Sequence, residues 1–370
     1  RSTSQTDPLG HTTSTTYDDA GRVLAVKLAD STSTIYAYDA KGQKLSETDA
    51  LSRISEWAYD ADGRLAESHD QAGQVWAFGY DGIGNMLTQT DALGRVTRFA
   101  FDERNRQVAR TLPLGMTEHM VYDVASQKTA KTDFNGYTTT YDYDARGRLV
   151  AKLPDPARGE APVAMVYTPT GRKAQTSNGA GVVRYGYDVR ERLVKKEMPA
   201  GTLAYTYDPH GNVATMKSSN VGGVDVKYGW DAANRLASVT DPAGVSTMEY
   251  DAAGRLTKRT DPNGVVMTYS YDNVNRVLDV AANRGATAIA DYGYTRDTIG
   301  RVTTLAELGG RTVTYGYSQA GRLVNETITG EPHGVNGSIA YTHDSVGNRL
   351  TRTSSVGPVA GQVFAYDANA

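Results

Sequence analysis

The stretch "YDAAGRL", residues 250–256, is followed by "TKRTDPNGVVMTYS" and then by "YDNVNRV", residues 271–277. The same phrase stands earlier as "YDDAGRV" at 17–23, "YDADGRL" at 59–65 and "YDARGRL" at 143–149. The Tyr-Asp pair, or its Phe or Trp variant, falls at Tyr17, Tyr38, Tyr59, Tyr80, Phe101, Tyr122 and Tyr143, always 21 residues apart. The register then loosens through Tyr167, Tyr187, Tyr207, Trp230, Tyr250, Tyr271, Arg296, Tyr317, His343 and Tyr366, with intervals of 20 to 26 residues. Seventeen such units cover the 370 residues. A fixed short period along a whole chain marks a repeat array, in which each unit packs on its neighbours. A single repeat domain over 1–370 is expected, with no separate catalytic domain.

Each unit carries two turns. The first is Asp-x-x-Gly, as in Asp18 to Gly21 and Asp251 to Gly254; the second follows about ten residues later, as in Asp91-Ala92-Leu93-Gly94 and Asp261-Pro262-Asn263-Gly264. This is type I turn chemistry: Asp bonds its own backbone, Pro presets φ, and the last position tolerates positive φ. That last position of the first turn is Gly in eleven units and Asn in three (Asn105, Asn234, Asn275). Ser126, Glu191 and Ala370 break the rule, so turns that are distorted or of another type are expected there.

Between turns the pattern alternates. Tyr36 and Tyr38 flank Ala37, Trp57 and Tyr59 flank Ala58, and Phe99 and Phe101 flank Ala100. Period two puts the rings on one sheet face and the small residues on the other. "GRLVAKL" likewise places Leu149, Ala151 and Leu153 on one face and Arg148, Val150 and Lys152 on the other. Each unit is then an antiparallel hairpin and the fold is all-β. Longer loops are expected at 154–162, 218–225 and 329–337, where intervals stretch. Tyr occurs 24 times against 5 Phe, which calls for half-buried rings whose hydroxyls find partners.

Seventeen hairpins make roughly 34 strands, a ribbon some 160 Å long at about 4.8 Å per strand. Sheets of more than about ten strands rarely stay flat, and right-handed twist accumulates. The expectation is a spiral β-shell whose stacked coils hide its long edges. Its area, about 4,000 Å² for strands of about 8 residues, falls short of the roughly 6,000 Å² needed around a cargo of about 120 residues. The chain begins without Met and stops at "YDANA", in mid-motif; it is expected to be part of a wall in a longer protein.

The motif Tyr-Asp-x-x-Gly-Arg-Leu with its second Asp-Pro-x-Gly turn resembles the YD repeat of the Rhs family over essentially the whole chain. That family includes bacterial Rhs and wall-associated toxins, the C component of Tc toxins and the teneurins. The resemblance implies a hollow spiral cocoon that, in bacterial members, encloses a variable C-terminal toxin until delivery. It implies as partners the enclosed toxin or the rest of the same polypeptide, with a secretion or delivery apparatus, and a secreted or cell-surface bacterial location. Release in the family resembles autoproteolysis at an Asp-Pro-x-Gly-Leu-type motif. Here Asp7-Pro8-Leu9-Gly10, Asp241-Pro242 and Asp261-Pro262 are followed by His11, Val245 and Val265 and sit in repeat-turn register, so no catalytic residue is transferred.

Other chemistry finds little support. Net charge is −3, with no basic footprint for nucleic acid. The chain has no cysteine and no apolar run of membrane-spanning length. His11, His69, His119, His210, His333 and His343 have no metal spacing and read as polar turn residues. "GIGNML" at 82–87 lacks the third glycine of a dinucleotide fingerprint. "DYDARG" at 142–147 starts like a calcium loop, but its twelfth position is Leu153 rather than Glu. No cofactor, metal or catalytic residue is assigned. The recurrent Arg22, Arg64, Arg148, Arg255, Arg301 and Arg322 either form a polysaccharide-binding stripe or pair with Asp and lie over Tyr rings; the net charge favours pairing. The expected function is a non-catalytic container wall, with a surface adhesion or carbohydrate-binding module as the alternative.

Overall fold

The computed structural model describes residues 1–331, 335–357 and 359–369. Among them lie 34 β-strands and one 3₁₀ turn, Pro156–Arg158. No helix of the described residues is long and apolar enough to cross a membrane. Strands pair antiparallel with their sequence neighbours: Ser33–Tyr38 with Lys44–Thr48, that strand with Ile54–Tyr59, and so along the ribbon. The first turns close as the motif requires, with Gly21 N–H donating to the Asp18 carbonyl at 2.9 Å and Gly254 N–H to that of Asp251 at 3.0 Å. Gly254 has φ 84°, a region only glycine enters without steric cost.

Ser126 and Glu191 correct an expectation. Their turns are not distorted: both residues enter the left-handed region, at φ 63° and 59°. Ser126 N–H still reaches the Asp123 carbonyl at 3.1 Å, and Glu191 N–H that of Asp188 at 2.9 Å. The ladder on both sides over-determines the turn, so the side chain bears the strain, about 1–2 kcal/mol per residue. The turn at Ala370 falls outside the described residues.

The rings alternate with small residues as expected. Tyr36, Tyr38, Trp57 and Tyr59 are half-buried, whereas Ala37 and Ala58 are exposed. The leucine assignment is corrected by a β-bulge that straight alternation cannot show. Register shifts between Asp142 and Tyr143, so Tyr143 faces Leu149 while Tyr141 faces Lys152 and Asp142 faces Ala151. Val150 is the extra residue, and Leu149 joins the aromatic face while Ala151 and Leu153 lie on the other. The same bulge precedes Tyr38, Tyr59, Tyr80, Tyr122 and Trp230. Loops occur at 154–162 and 219–224, between strands Leu149–Leu153 and Val163–Tyr167 and between Val213–Ser218 and Asp225–Trp230. The third expected loop includes 332–334, outside the described residues.

The chain forms two compact units. The unit Arg98–Met248 is one pass of hairpins, and the 3₁₀ turn lies in it, capped by the Asp155 carboxylate accepting from Ala157 N–H. The other unit joins Arg1–Thr97 to Glu249–Ala370. There the late repeats lie along the early ones, turn against turn. Asn273 Nδ2 donates to the Ala29 carbonyl at 2.9 Å, Thr298 Oγ1 to that of Ala50 at 3.3 Å, and Arg53 Nη1 to that of Gln319 at 2.8 Å. The coil-on-coil stacking therefore occurs within this unit, but not for the expected reason. The ribbon's long edges are rows of turns, so stacking covers turns rather than open strands and supplies side-chain donors to turn carbonyls. Among the described residues only Ala282, Val313, Ile339 and Val356 of the apolar residues are buried. With so little conventional core, cohesion comes from contacts between successive units.

Candidate functional site

Among the described residues the arrangement that recurs is the clasp that each YD motif builds with the next unit, and this is the candidate site. The Asp18 carboxylate does two things. Oδ1 accepts Arg22 N–H at 2.8 Å, and Oδ2 accepts Arg22 Nε–H at 2.6 Å. This aims the guanidinium forward: Arg22 Nη1 donates to the Asp39 carbonyl at 2.7 Å, and the group lies 5.1 Å from the Tyr38 ring centre. Arg64 repeats the geometry on Asp81 and Tyr80, and Arg106 on Asp123 and Tyr122. The Arg–Asp pairing and the lay over Tyr are thus both realised in one residue.

The tyrosine completes the clasp from the other side. Tyr80 O–H donates to the Leu65 carbonyl at 2.9 Å, and Tyr59, Tyr122 and Tyr317 do the same to Lys44, Gln107 and Val302. Leu65 sits at the bulge, and its strand pairs with the next only through Glu67, Ser68 and His69. Its carbonyl has no ladder partner on that side, and the phenol satisfies it. Trp230 serves equally well through Nε1–H to Val213, at 2.8 Å. Tyr-Asp-x-x-Gly-Arg-Leu is therefore one device: ring and hydroxyl reach back one unit, and Asp and Arg reach forward.

The electrostatics follow from this geometry. The backbone N–H of the following arginine is the main influence holding the Asp18, Asp60 and Asp188 carboxyls below their ordinary 3.8. For Asp102 and Asp144 the arginine side chain leads.

Two first turns lack the Asp. Thr168 and Ser318 take its place, a departure readable in "YTPTGRK" and "YSQAGRL" that the repeat count passes over. At the first, Arg172 Nε turns instead to Glu191 Oε2, at 3.2 Å. Glu191 thus supplies a carboxylate from the next turn. At the second, Arg322 Nη1 and Nη2 donate to the Asp344 and Ser345 carbonyls, without any carboxylate.

The histidines are dispersed. His11 Nδ1 lies 3.0 Å from Asp7 Oδ2 beside a turn, and His69 Nε2 lies 3.4 Å from Glu67. His119 is in strand Thr117–Tyr122, His210 in the turn ending at Gly211, and His343 at the end of strand Gly337–His343. His333 lies outside the described residues. Among the described residues no three His, Asp or Glu converge as metal ligands.

This arrangement, a ribbon of hairpins clasped unit to unit, defines the class of β-repeat shells. The Teneurin YD-shell family matches residues 7–198, more than half of the chain, and the RHS Repeat family matches 207–247, 230–266 and 250–287. The chain belongs to the Rhs/YD-repeat family. No curated protein matches it in sequence.

Solved structures share the fold. A TcdB2-TccC3 crystal structure aligns with TM-score 0.78 at 14% identity, over 94% of this chain and 22% of that one. The same complex without its hypervariable C-terminal region gives TM-score 0.77 at 14% identity, over 93% and 22%. The Photorhabdus luminescens Tc holotoxin pore gives 0.72 at 14%, over 94% and 23%. The chain therefore spans less than a quarter of the length of the solved chains it matches. A structural shell role follows from fold and family together.

Proposed function

We propose that this chain is a non-catalytic section of the wall of a YD shell that encloses a toxin carried by the same polypeptide, exported from a bacterium to the cell surface or beyond. Residues 1–370 act as one repeat domain in this reading. The observation that carries it is the docking of late repeats on early ones, turn to turn, in a chain of the YD-shell family. Such docking extends a ribbon into a wall without opening its edges. The likeness to Tc toxin components supports an enclosed toxin as partner. An adhesive, glycan-binding surface has less support, because five of the six arginines that would contact sugar, Arg22, Arg64, Arg148, Arg255 and Arg301, are engaged with Asp carboxylates and Tyr rings.

The test is made on the full-length protein. The sequence following Ala370 is determined, and limited proteolysis is run on the native and the acid-opened protein. Expected is a tail unrelated to the repeat that resists protease until the repeats unfold. A tail cleaved at once from native protein, or a surface anchor in its place, overturns the reading.

A further inference from the structure

We infer that the seam between early and late repeats holds a binding site for a small oxyanion, centred on Arg322 where Ser318 replaces the usual aspartate. This inference does not depend on the container reading. Nine first turns of the described residues end in an arginine whose Nε donates to the turn's own Asp Oδ2, at 2.5–2.8 Å. Arg172, without that Asp, has Glu191. Arg322 has neither. Ser318 Oγ accepts its backbone N–H at 3.1 Å, taking over one role of the carboxylate, but it brings no charge.

Space exists where the missing carboxylate would stand. A cavity of about 400 Å³ opens at this turn, lined from the late repeats by Ser318, Arg322, Tyr341 and His343 and from the early repeats by Ala72 and Gln74. The early repeats place Arg53 and Arg95 on the seam at the corresponding position of neighbouring turns, where they donate to the Gln319 and Asp367 carbonyls. Gln74 is the shorter, neutral residue in that row, and the cavity lies at this gap.

Arg53 and Arg301 are each paired with their own turn's carboxylate, Asp49 and Asp297, so of the three arginines at this corner Arg322 is the one answered by carbonyls alone. Arg53 Nη1 and Arg301 Nη1 both approach Gly321, within 3.6 and 3.7 Å of where its Cβ would be. Arg301 Nη1 is buried and has no hydrogen-bond acceptor. Arg349 Nε is likewise buried and unpartnered. The nearby carboxylates are committed: Asp344 Oδ1 accepts the N–H groups of its own turn and Oδ2 accepts Asn348, while Glu326 accepts Tyr341 O–H at 2.5 Å. Burial chiefly, then Arg322 and Arg349, hold the His343 ring below its ordinary value, so it enters the site as a neutral donor or acceptor. Burial, then Glu326, pushes Tyr341 up to about 12 and keeps its phenol protonated.

An oxyanion oxygen in the place of the absent Asp Oδ2 accepts Arg322 Nε–H in the geometry the nine Asp–Arg turns use. Its remaining oxygens reach toward Ser318 O–H and Gln74. Phosphate and carboxylate share this chemistry, since a guanidinium N–H meets either as a charge-assisted bond. Because the two rows of repeats both line the cavity, occupancy ties them together and raises stability by mass action.

The experiment uses the full-length protein at fixed ionic strength, with chloride exchanged for inorganic phosphate in one arm and for acetate in the other. Melting temperature and isothermal titration are the readouts. Expected is a saturable rise in melting temperature with at least one of the two anions and a matching binding isotherm. Ser318→Asp, which restores the family turn, should melt higher in chloride and bind the anion at least tenfold more weakly. Gln74→Ala should weaken anion binding as read by titration. Response to phosphate alone assigns a phosphate-class ligand, and response to both a general oxyanion. No binding of either anion, or a Ser318→Asp protein that binds as tightly as the parent, overturns the proposal.

Discussion

At the scale of the residue, the clasp favours tyrosine over phenylalanine at the motif position, where rings such as Tyr59, Tyr80, Tyr122 and Tyr317 also deliver a hydroxyl. Tyr317→Phe leaves the Val302 carbonyl without its 2.8 Å donor and should cost about 1 kcal/mol, read as a lower midpoint in urea unfolding. An unchanged midpoint would show that water replaces the phenol freely. The turn position separates the residue types as sharply. Gly254→Val forces a branched residue to φ 84° and should destabilise by at least about 1–2 kcal/mol, whereas Ser126→Gly should stabilise by about 1 kcal/mol. Equal effects of the two changes on thermal melting would contradict the left-handed assignment. Glu191→Gly should gain less than Ser126→Gly, since it also removes the carboxylate that answers Arg172.

The turn carboxylates impose a pH dependence with a definite sign. Asp18, Asp60, Asp102, Asp144 and Asp188 all titrate below 3.8 in the folded chain. The unfolded chain then binds more protons than the folded one as pH falls through this range. Their contribution is fully present above 3.8 and is lost as pH drops through 3.8 and the lower folded values. Melting temperature should be flat from about pH 7 to 5 and fall below about pH 4. A melt that holds steady to about pH 3 would remove the carboxylates from the clasp's energetics.

At the scale of the element, the unit is a bulged hairpin, and the bulge decides which carbonyl the next ring can reach. Elements that carry this contact should resist change, and elements that do not should tolerate it. The loop 219–224 is nearer the second kind: it bonds the neighbouring hairpin through Ser219 and Asn220, and Val221 beyond them is fully exposed. Inserting four Gly/Ser residues after Val221 should leave melting nearly unchanged, since a modest lengthening of an existing loop costs only about 0.6 kcal/mol per doubling. The same insertion between Ala61 and Asp62 would break the turn that orients Arg64 and should lower melting clearly.

At the scale of the whole molecule, a repeat array with almost no buried core is held by nearest neighbours and, in the unit Arg1–Thr97 with Glu249–Ala370, by a seam between distant repeats. Arg276 Nη2 meets Asp30 Oδ2 across that seam at 3.0 Å, both side chains mostly shielded. A double-mutant cycle on Asp30→Asn and Arg276→Gln should give a coupling of up to about 1 kcal/mol. Hydrogen exchange should rise in the turn at 272–275 in the single mutants. Coupling indistinguishable from zero would mean that the seam is held by its backbone acceptors alone.

Much of this was legible in one dimension because the interactions are local. Asp18 and Arg22 are one turn apart, and Tyr80 and Leu65 belong to adjacent units, so the 21-residue spacing already implies antiparallel hairpins, positive-φ turns and an extended sheet. Short-range geometry repeats faithfully, and a period in sequence becomes a period in space. What the tertiary structure alone decided lies where that locality fails. The bulge moves Leu149 onto the aromatic face, because strand pairing overrides simple alternation. Glu191 answers Arg172 from another turn, because a missing charge is met by whatever carboxylate the fold brings near. Arg276 finds Asp30, 246 residues away, because the accumulated twist of many hairpins sets where a ribbon meets itself. No single unit of the sequence encodes that sum.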